Sequence, residues 1–186
     1  MTGSLPGVTA GNMDLKPDKD SALYRSDEEN KCQEAALRLL DAAPRSSGAL
    51  RTRLIAKGYE EETVGKVVRR LVSSRLIDDG QYARSMVQYC LSRFLGEYGT
   101  RQELRKKEVE GPLITAVVEE AREAGKFENS AYELALKVSK KTSGLDTRTR
   151  LRRFWSACAR KGHDPDTIRR YTDILCEDSE GLENEE

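Results

Sequence analysis

The sequence predicts an all-α protein, and three observations carry that prediction. No segment alternates apolar and polar residues over the length of a half-buried strand. Apolar residues recur instead at helical spacing: Val64, Val67, Val68, Leu71 and Val72 fall at i, i+3, i+4, i+7 and i+8, one stripe of a helix. The stripe then returns as Ile114, Val117, Val118 and Ala121, fifty positions later. It returns again as Ile168, Tyr171, Thr172 and Leu175 after a further 54, with Thr172 the polar exception. Such a period predicts three tandem three-helix repeats of about 50 residues. A unit of that size buries too little surface to stand alone, so the repeats must support one another in an elongated, curved array.

Taken in order, residues 1–25 are rich in Gly, Pro, Asp and Lys without apolar periodicity and read as a disordered leader. The first repeat, 26–78, opens on the capping-box pattern Ser26-x-x-Glu29 and a helix carrying Ala35, Ala36, Leu39 and Leu40. Its middle helix ends in Leu54-Ile-Ala-Lys-Gly-Tyr59, where Gly58 supplies the left-handed residue of a C-cap. In the second repeat, 79–129, Asp79 is placed to cap the helix holding Tyr82, Ala83, Met86, Val87 and Cys90. Thr100-x-x-Glu103 marks the start of the middle helix, which runs into Leu104-Arg-Lys-Lys-Glu-Val109. Glu108 stands there in the glycine position and is a poorer cap. The third repeat, 130–176, begins with Ala131, Tyr132, Ala135 and Leu136 and reaches the turn Cys158-Ala-Arg-Lys-Gly-His163, with Gly162 as the cap. Pro112 and Pro165 open last helices, where a missing N–H costs nothing, and Asp164 is an N-cap. Residues 177–186 form an acidic tail.

Sequence motifs that mark common nucleotide-binding and metal-dependent enzymes are missing. There is no Walker A or dinucleotide glycine motif, no C-x-x-C and no H-E-x-x-H, so neither nucleotide, cofactor nor metal is expected. The single histidine, His163, reads as a turn or core residue, and the neighbouring carboxylates Asp78 and Asp79 as caps. Cys32, Cys90 and Cys158 sit on apolar stripes as small hydrophobes. With no membrane span and no signal-like leader, the expected setting is the cytoplasm.

Charge is the remaining signal. The chain holds 32 basic and 32 acidic residues, unevenly spread. Residues 1–30 carry three basic and six acidic groups and residues 176–186 six acidic and none basic, leaving 29 basic against 20 acidic between them. Residues 130–175 are the most basic stretch, with 11 basic and five acidic groups. On their middle helix Leu151, Phe154, Trp155 and Cys158 fall on one side, Trp155 at its edge as a packing residue. Arg148, Arg150, Arg152, Arg153, Arg160 and Lys161 are assigned to the opposite half, and Arg169 and Arg170 follow on the last helix. Like charges on one face repel, so the face is read as a surface for phosphates or carboxylates, which guanidinium groups bind bidentately.

Two stretches add a resemblance. Leu76-Ile-Asp-Asp-Gly-Gln-Tyr-Ala-Arg84 resembles the junction between the first and second units of the RecX regulators of the bacterial recombinase RecA. Gly99-Thr-Arg-Gln-Glu-Leu-Arg-Lys-Lys107 resembles that family's glycine-led second helix. The turns Lys57-Gly58-Tyr59 and Lys161-Gly162-His163 are similar to its Lys/Arg-Gly-aromatic turns, and the similarity runs over about residues 31–176. Glu108 and His163 depart from the pattern, at a glycine and at a larger side chain respectively. The resemblance implies a monomeric, non-enzymatic protein that binds the RecA filament on single-stranded DNA, lying in its helical groove. It further implies inhibition of ATPase, strand exchange and coprotease activity in recombination, DNA repair and the SOS response, with direct DNA binding weak. Gly58, Asp79, Tyr82, Ala83, Gly99, Leu104 and Gly162 are then structural positions of the motif. The competing expectations are an autonomous helix-turn-helix-like DNA-binding protein and a purely protein-binding helical adaptor.

Overall fold

The computed structural model describes residues 22–176, with side chains from residue 26 onward. The leader up to residue 21 and the acidic tail 177–186 lie outside the described residues. The described chain is all-α, an elongated helical array: α1 (Ala22–Ala42), α2 (Ser47–Ala56), α3 (Glu61–Ser73), α4 (Asp79–Ser92), α5 (Glu97–Lys106), α6 (Gly111–Glu123), α7 (Lys126–Thr142), α8 (Thr147–Lys161) and α9 (Pro165–Arg170), then a 3-10 turn (Asp173–Leu175).

Helix packing recurs along the array. α1, α2 and α3 pack on one another around Cys32, Ala36, Leu50, Leu54, Val64, Val68 and Leu71. α4, α5 and α6 do the same around Ala83, Val87, Leu104, Ile114 and Val118. α7, α8, α9 and the 3-10 turn enclose Leu134, Ala135, Phe154, Cys158, Ile168 and Leu175. Each of the larger aliphatic side chains, taken fully out of water, contributes on the order of 1.5–3 kcal/mol, and these stripes are the main reason short helices persist.

Several helix starts differ from the sequence reading. α1 begins at Ala22, so Ser26 and Glu29 lie inside it and residues 22–25, expected outside the first helix, are helical. No Gly or Pro interrupts residues 22–26, and a capping-box pair permits a helix start without enforcing one. α4 is capped by Asp78, whose carboxylate accepts from Gln81 N at 2.8 Å. Asp79 instead reaches back across the array to α2, accepting from Ser47 N at 2.8 Å and from Ser47 Oγ. α5 starts at Glu97 with Gly96 as its N-cap, which leaves Thr100 buried inside the helix. α7 starts at Lys126, so a division between 129 and 130 would cut it.

Other signals are found as read. Gly58 and Gly162 have φ of 94° and 73°, the left-handed geometry that ends a helix. Glu108 adopts φ 55° in the equivalent turn without being glycine. Pro112 and Pro165 lie in the first turns of α6 and α9, and the Asp164 carboxylate accepts from Thr167 N at 3.0 Å. Cys32, Cys90 and Cys158 are buried, and burial pushes the Cys32 thiol up to about 11 and the Cys158 thiol up to about 12, so both stay protonated.

One device joins successive bundles. The N-terminal turn of α2 sits on the C-terminal turn of α5, where Ser46 Oγ donates to Lys107 O at 2.5 Å and Thr52 Oγ1 donates to the Glu108 carboxylate. The N-terminal turn of α5 sits in the same way on α8: Gly96 N donates to Lys161 O at 2.9 Å and Tyr98 N to Gly162 O at 3.1 Å. Orphan donors at one helix start thus meet orphan carbonyls at another's end, and the positive end of one macrodipole faces the negative end of the next. The approach demands glycine. A Cβ at Gly48 would strike Glu108 O, one at Gly99 would strike Lys161 O, and one at Gly162 would strike the Gly99 backbone.

Candidate partner-binding surface

The cations grouped from the sequence separate into different environments. α8 presents Arg148, Arg152, Arg153 and Arg160 to solvent. Arg152, Arg153 and Arg160 line one wall of a groove of about 470 Å³, and the C-terminal half of α7 supplies the other with Val138, Lys141 and Thr142. Among the described residues, no carboxylate lines the groove. Among the described residues, none of Lys141, Arg152, Arg153 and Arg160 takes part in an ion pair. Val138 and Ala157 give the groove an apolar strip, and Thr142 spends its hydroxyl on Val138 O at 2.8 Å.

Arg150 is a correction. It is 1% exposed and its Nη2 donates to Ser139 Oγ of α7 at 2.8 Å. Its place follows from the period: Arg150, Phe154 and Cys158 are four apart and share the buried stripe. Lys161 is partly buried and engaged within the fold. Its ammonium donates to Arg93 O and lies 5.8 Å from the Phe94 ring centroid, which ties α8 to the turn before α5. Burial first, then Arg93, Lys137 and Arg160, pull its pKa below the usual lysine value. Arg169 and Arg170 are exposed but engaged, Arg169 with Asp166 at 2.5 Å and Arg170 with Glu128 at 4.0 Å. Lys141, which the sequence reading left out, joins the groove through the antiparallel pairing of α7 and α8. That pairing is a tertiary fact no single-helix projection contains.

The motif positions have contacts of their own. Ala83 and Leu104 are fully buried in the second cluster. Tyr82 is half-buried at the junction of the first two bundles, where desolvation raises its phenol pKa. Asp79, Gly99 and Gly162 lie in the joints just described, whereas the space around a Cβ at Gly58 is open. His163 is 7% exposed, and its Nε2 donates to Phe94 O at 2.9 Å. Burial holds its pKa below the ordinary histidine value, opposed by that bond and reinforced by Lys161. Trp155 is half-buried against the third cluster.

Among the described residues, no group of three or more His, Cys, Asp and Glu is placed to hold a metal ion, and no helix is long and apolar enough to cross a membrane. The surface offers charge recognition through its exposed guanidinium groups.

Comparison with known proteins follows the same lines. Residues 32–71 match the family model described as RecX, first three-helix domain. The regulatory protein RecX of Streptomyces coelicolor is 32% identical over 154 residues, covering 80% of this chain and 81% of that protein. That of Trichlorobacter lovleyi is 31% identical over 150 residues, 77% of this chain and 95% of the other. The crystal structure of RecX from Lactobacillus salivarius superposes with a TM-score of 0.70 at 20% identity, over 81% of this chain and 97% of that one. A second RecX crystal structure gives a TM-score of 0.71 at 23% identity, over 84% and 79%. A shared fold with these structures, and sequence identity extending along most of the chain, together make this protein a member of the RecX family of regulatory proteins.

Proposed function

We propose that the chain is a non-enzymatic regulator of RecA that binds the RecA filament on single-stranded DNA in the cytoplasm and restrains it. In this reading α1–α3, α4–α6 and α7–α9 are three tandem three-helix units forming a curved array. The array lies in the helical groove of the filament across neighbouring protomers and lowers ATPase, strand-exchange and coprotease activity. Family membership supports the regulatory role. The observation that carries the contact surface is the α7/α8 groove, where Lys141, Arg152, Arg153 and Arg160 stand together with no carboxylate among the described residues that line it. An unbalanced patch of this kind attracts phosphate or carboxylate partners and does nothing for the stability of its own helix. Of the original set, Arg148, Arg152, Arg153 and Arg160 remain the proposed contacts, with Lys141 added. Arg150 and Lys161 hold the fold, and Arg169 and Arg170 flank the surface.

The test is charge reversal. Arg152→Glu, Arg153→Glu and Arg160→Glu together are expected to leave helicity by circular dichroism unchanged and to remove inhibition of RecA ATPase on single-stranded DNA. Full inhibition by that folded variant would refute the surface. Titration against naked duplex in the same buffer separates the autonomous DNA-binding reading, which requires tight binding that falls steeply with salt.

A further inference from the structure

We propose that the cleft between the first and second bundles is a docking site for a short acidic peptide segment of another protein, one that carries large apolar side chains between its carboxylates. This site is separate from the α7/α8 groove and does not depend on the partner assigned to it.

The two joints leave their apolar surfaces in different states. At the second joint α4 and α6 both pack on α7, Phe127 of α7 belongs to the second apolar cluster, and Phe94 packs against the third. The first joint is fastened by hydrogen bonds from Ser46, Ser47 and Thr52 to Lys107, Asp79 and Glu108. Among the described residues the first cluster, which ends at Ile77, and the second, which begins at Ala83, share no member. A cleft of about 780 Å³ is left between the bundles, a size common for ligand sites. Buried Ile77 and half-buried Leu40 and Met86 line it, and beside them Leu76 and Tyr89 are 60% and 51% exposed. Large apolar side chains left open together in this way mark a contact surface.

Charge says what fills it. Arg45 in the turn before α2, Arg75 in the turn after α3 and Lys107 at the end of α5 line the same cleft. Among the described residues none of the three takes part in an ion pair. The lining carboxylate, Asp78, is spent on Gln81 N as the cap of α4. An anionic ligand with apolar groups therefore matches the cleft, and a peptide matches it better than a nucleic-acid strand. A base needs an open aromatic face to stack on. Tyr89 already has the Arg93 guanidinium 5.5 Å from its ring centroid, and Tyr82 is half-buried. The aliphatic lining instead receives Leu, Ile or Phe side chains, with the flexible Met86 adapting to their shape. Arg45 and Arg75 can pair with carboxylates bidentately. An apolar centre inside a charged rim is the ordinary layout of protein–protein recognition.

The test selects the ligand and then locates it. A phage-displayed library of random dodecapeptides is panned on the full chain, and the enriched sequences are expected to carry several carboxylates with Leu, Ile or Phe among them. A fluorescein-labelled synthetic copy of the enriched peptide is then titrated by anisotropy. It should bind the Arg75→Glu, Lys107→Glu variant at least about tenfold more weakly than the wild type. Leu76→Ser, which alters an exposed side chain and no charge, should weaken it about fivefold. Both variants are expected to keep wild-type helicity by circular dichroism. The Arg152→Glu, Arg153→Glu, Arg160→Glu variant should bind the peptide as the wild type does, which separates this site from the α7/α8 groove. No enrichment, enrichment of sequences without carboxylates, or a peptide indifferent to both cleft variants overturns the proposal. Displacement of the peptide by an oligothymidylate of equal charge would give the cleft to nucleic acid instead. A dimer in sedimentation that Leu76→Ser dissociates would give it to a second copy of the chain, and either result also overturns the proposal.

Discussion

At the scale of single residues, space and φ decide most outcomes. Gly99→Ala places a methyl group against the backbone carbonyl of Lys161, which cannot rotate away, and is expected to cost about 1–3 kcal/mol in urea unfolding. Gly111→Ala, with nothing within 4 Å of the added atom and no positive φ, is the control and should be neutral or slightly stabilising. Arg75 closes α3 at φ 57° with its side chain exposed. A glycine there removes the left-handed penalty, so Arg75→Gly should raise stability by about 1 kcal/mol, read as a higher urea midpoint at unchanged slope. Arg150 shows where residue-level reading failed. Counting back from the C-terminal glycine turn leaves its face undecided, because α8 has 15 residues where α2 and α5 have 10. Counting forward from the N-caps Ser46, Gly96 and Asp146 sets Arg150 level with Leu50 and Thr100, both fully buried. Arg150→Glu should therefore unfold the third bundle, an effect of at least about 3 kcal/mol, where Arg152→Glu leaves the melting curve in place.

At the scale of elements, helix existence and order were legible because the apolar stripes are long and regular. Helix starts were less so. Thr100 and Glu103 have the spacing of a capping box, yet the donors of α5 go to Lys161 O and Gly162 O across a joint, a partner invisible in any local window. The same joint makes a pH prediction. His163 is the chain's one histidine, and its folded pKa is depressed, so the unfolded chain binds the extra proton first as pH falls. The stabilisation from burying the neutral ring is complete above the ordinary histidine pKa of about 6.5 and is lost as pH falls through the depressed folded value. Protonation would place a second cation beside Lys161, with Arg93 and Lys137 close by. Urea midpoints measured from pH 8 down to pH 5 should decline for the wild type and stay flat for His163→Gln. A parallel decline in both would remove His163 from the account. Phe94, held at φ 59° in the same turn, keeps its ring 4.7 Å from the Lys137 ammonium, so the strain of a bulky left-handed residue is offset by contact.

At the scale of the whole molecule, the array and the basicity of its last third could be anticipated, because period and net charge are sums over many residues. What could not be anticipated was the groove: Lys141 and Arg153 are neighbours only once α7 and α8 pair, and two of the eight expected cations are committed elsewhere for the same kind of reason. The joints also set a direction of growth. Duplicating residues 79–125 between α6 and α7 would carry a glycine-led helix start and a receiving turn together, so each new seam could close and the molecule would lengthen by one module. Appending the same module after residue 176 would present its receiving turn to the start of α8, where Arg148 and Thr149 occupy the positions that glycines hold in α2 and α5. Length in this architecture is therefore adjustable from within, while α8 acts as a terminus that refuses extension.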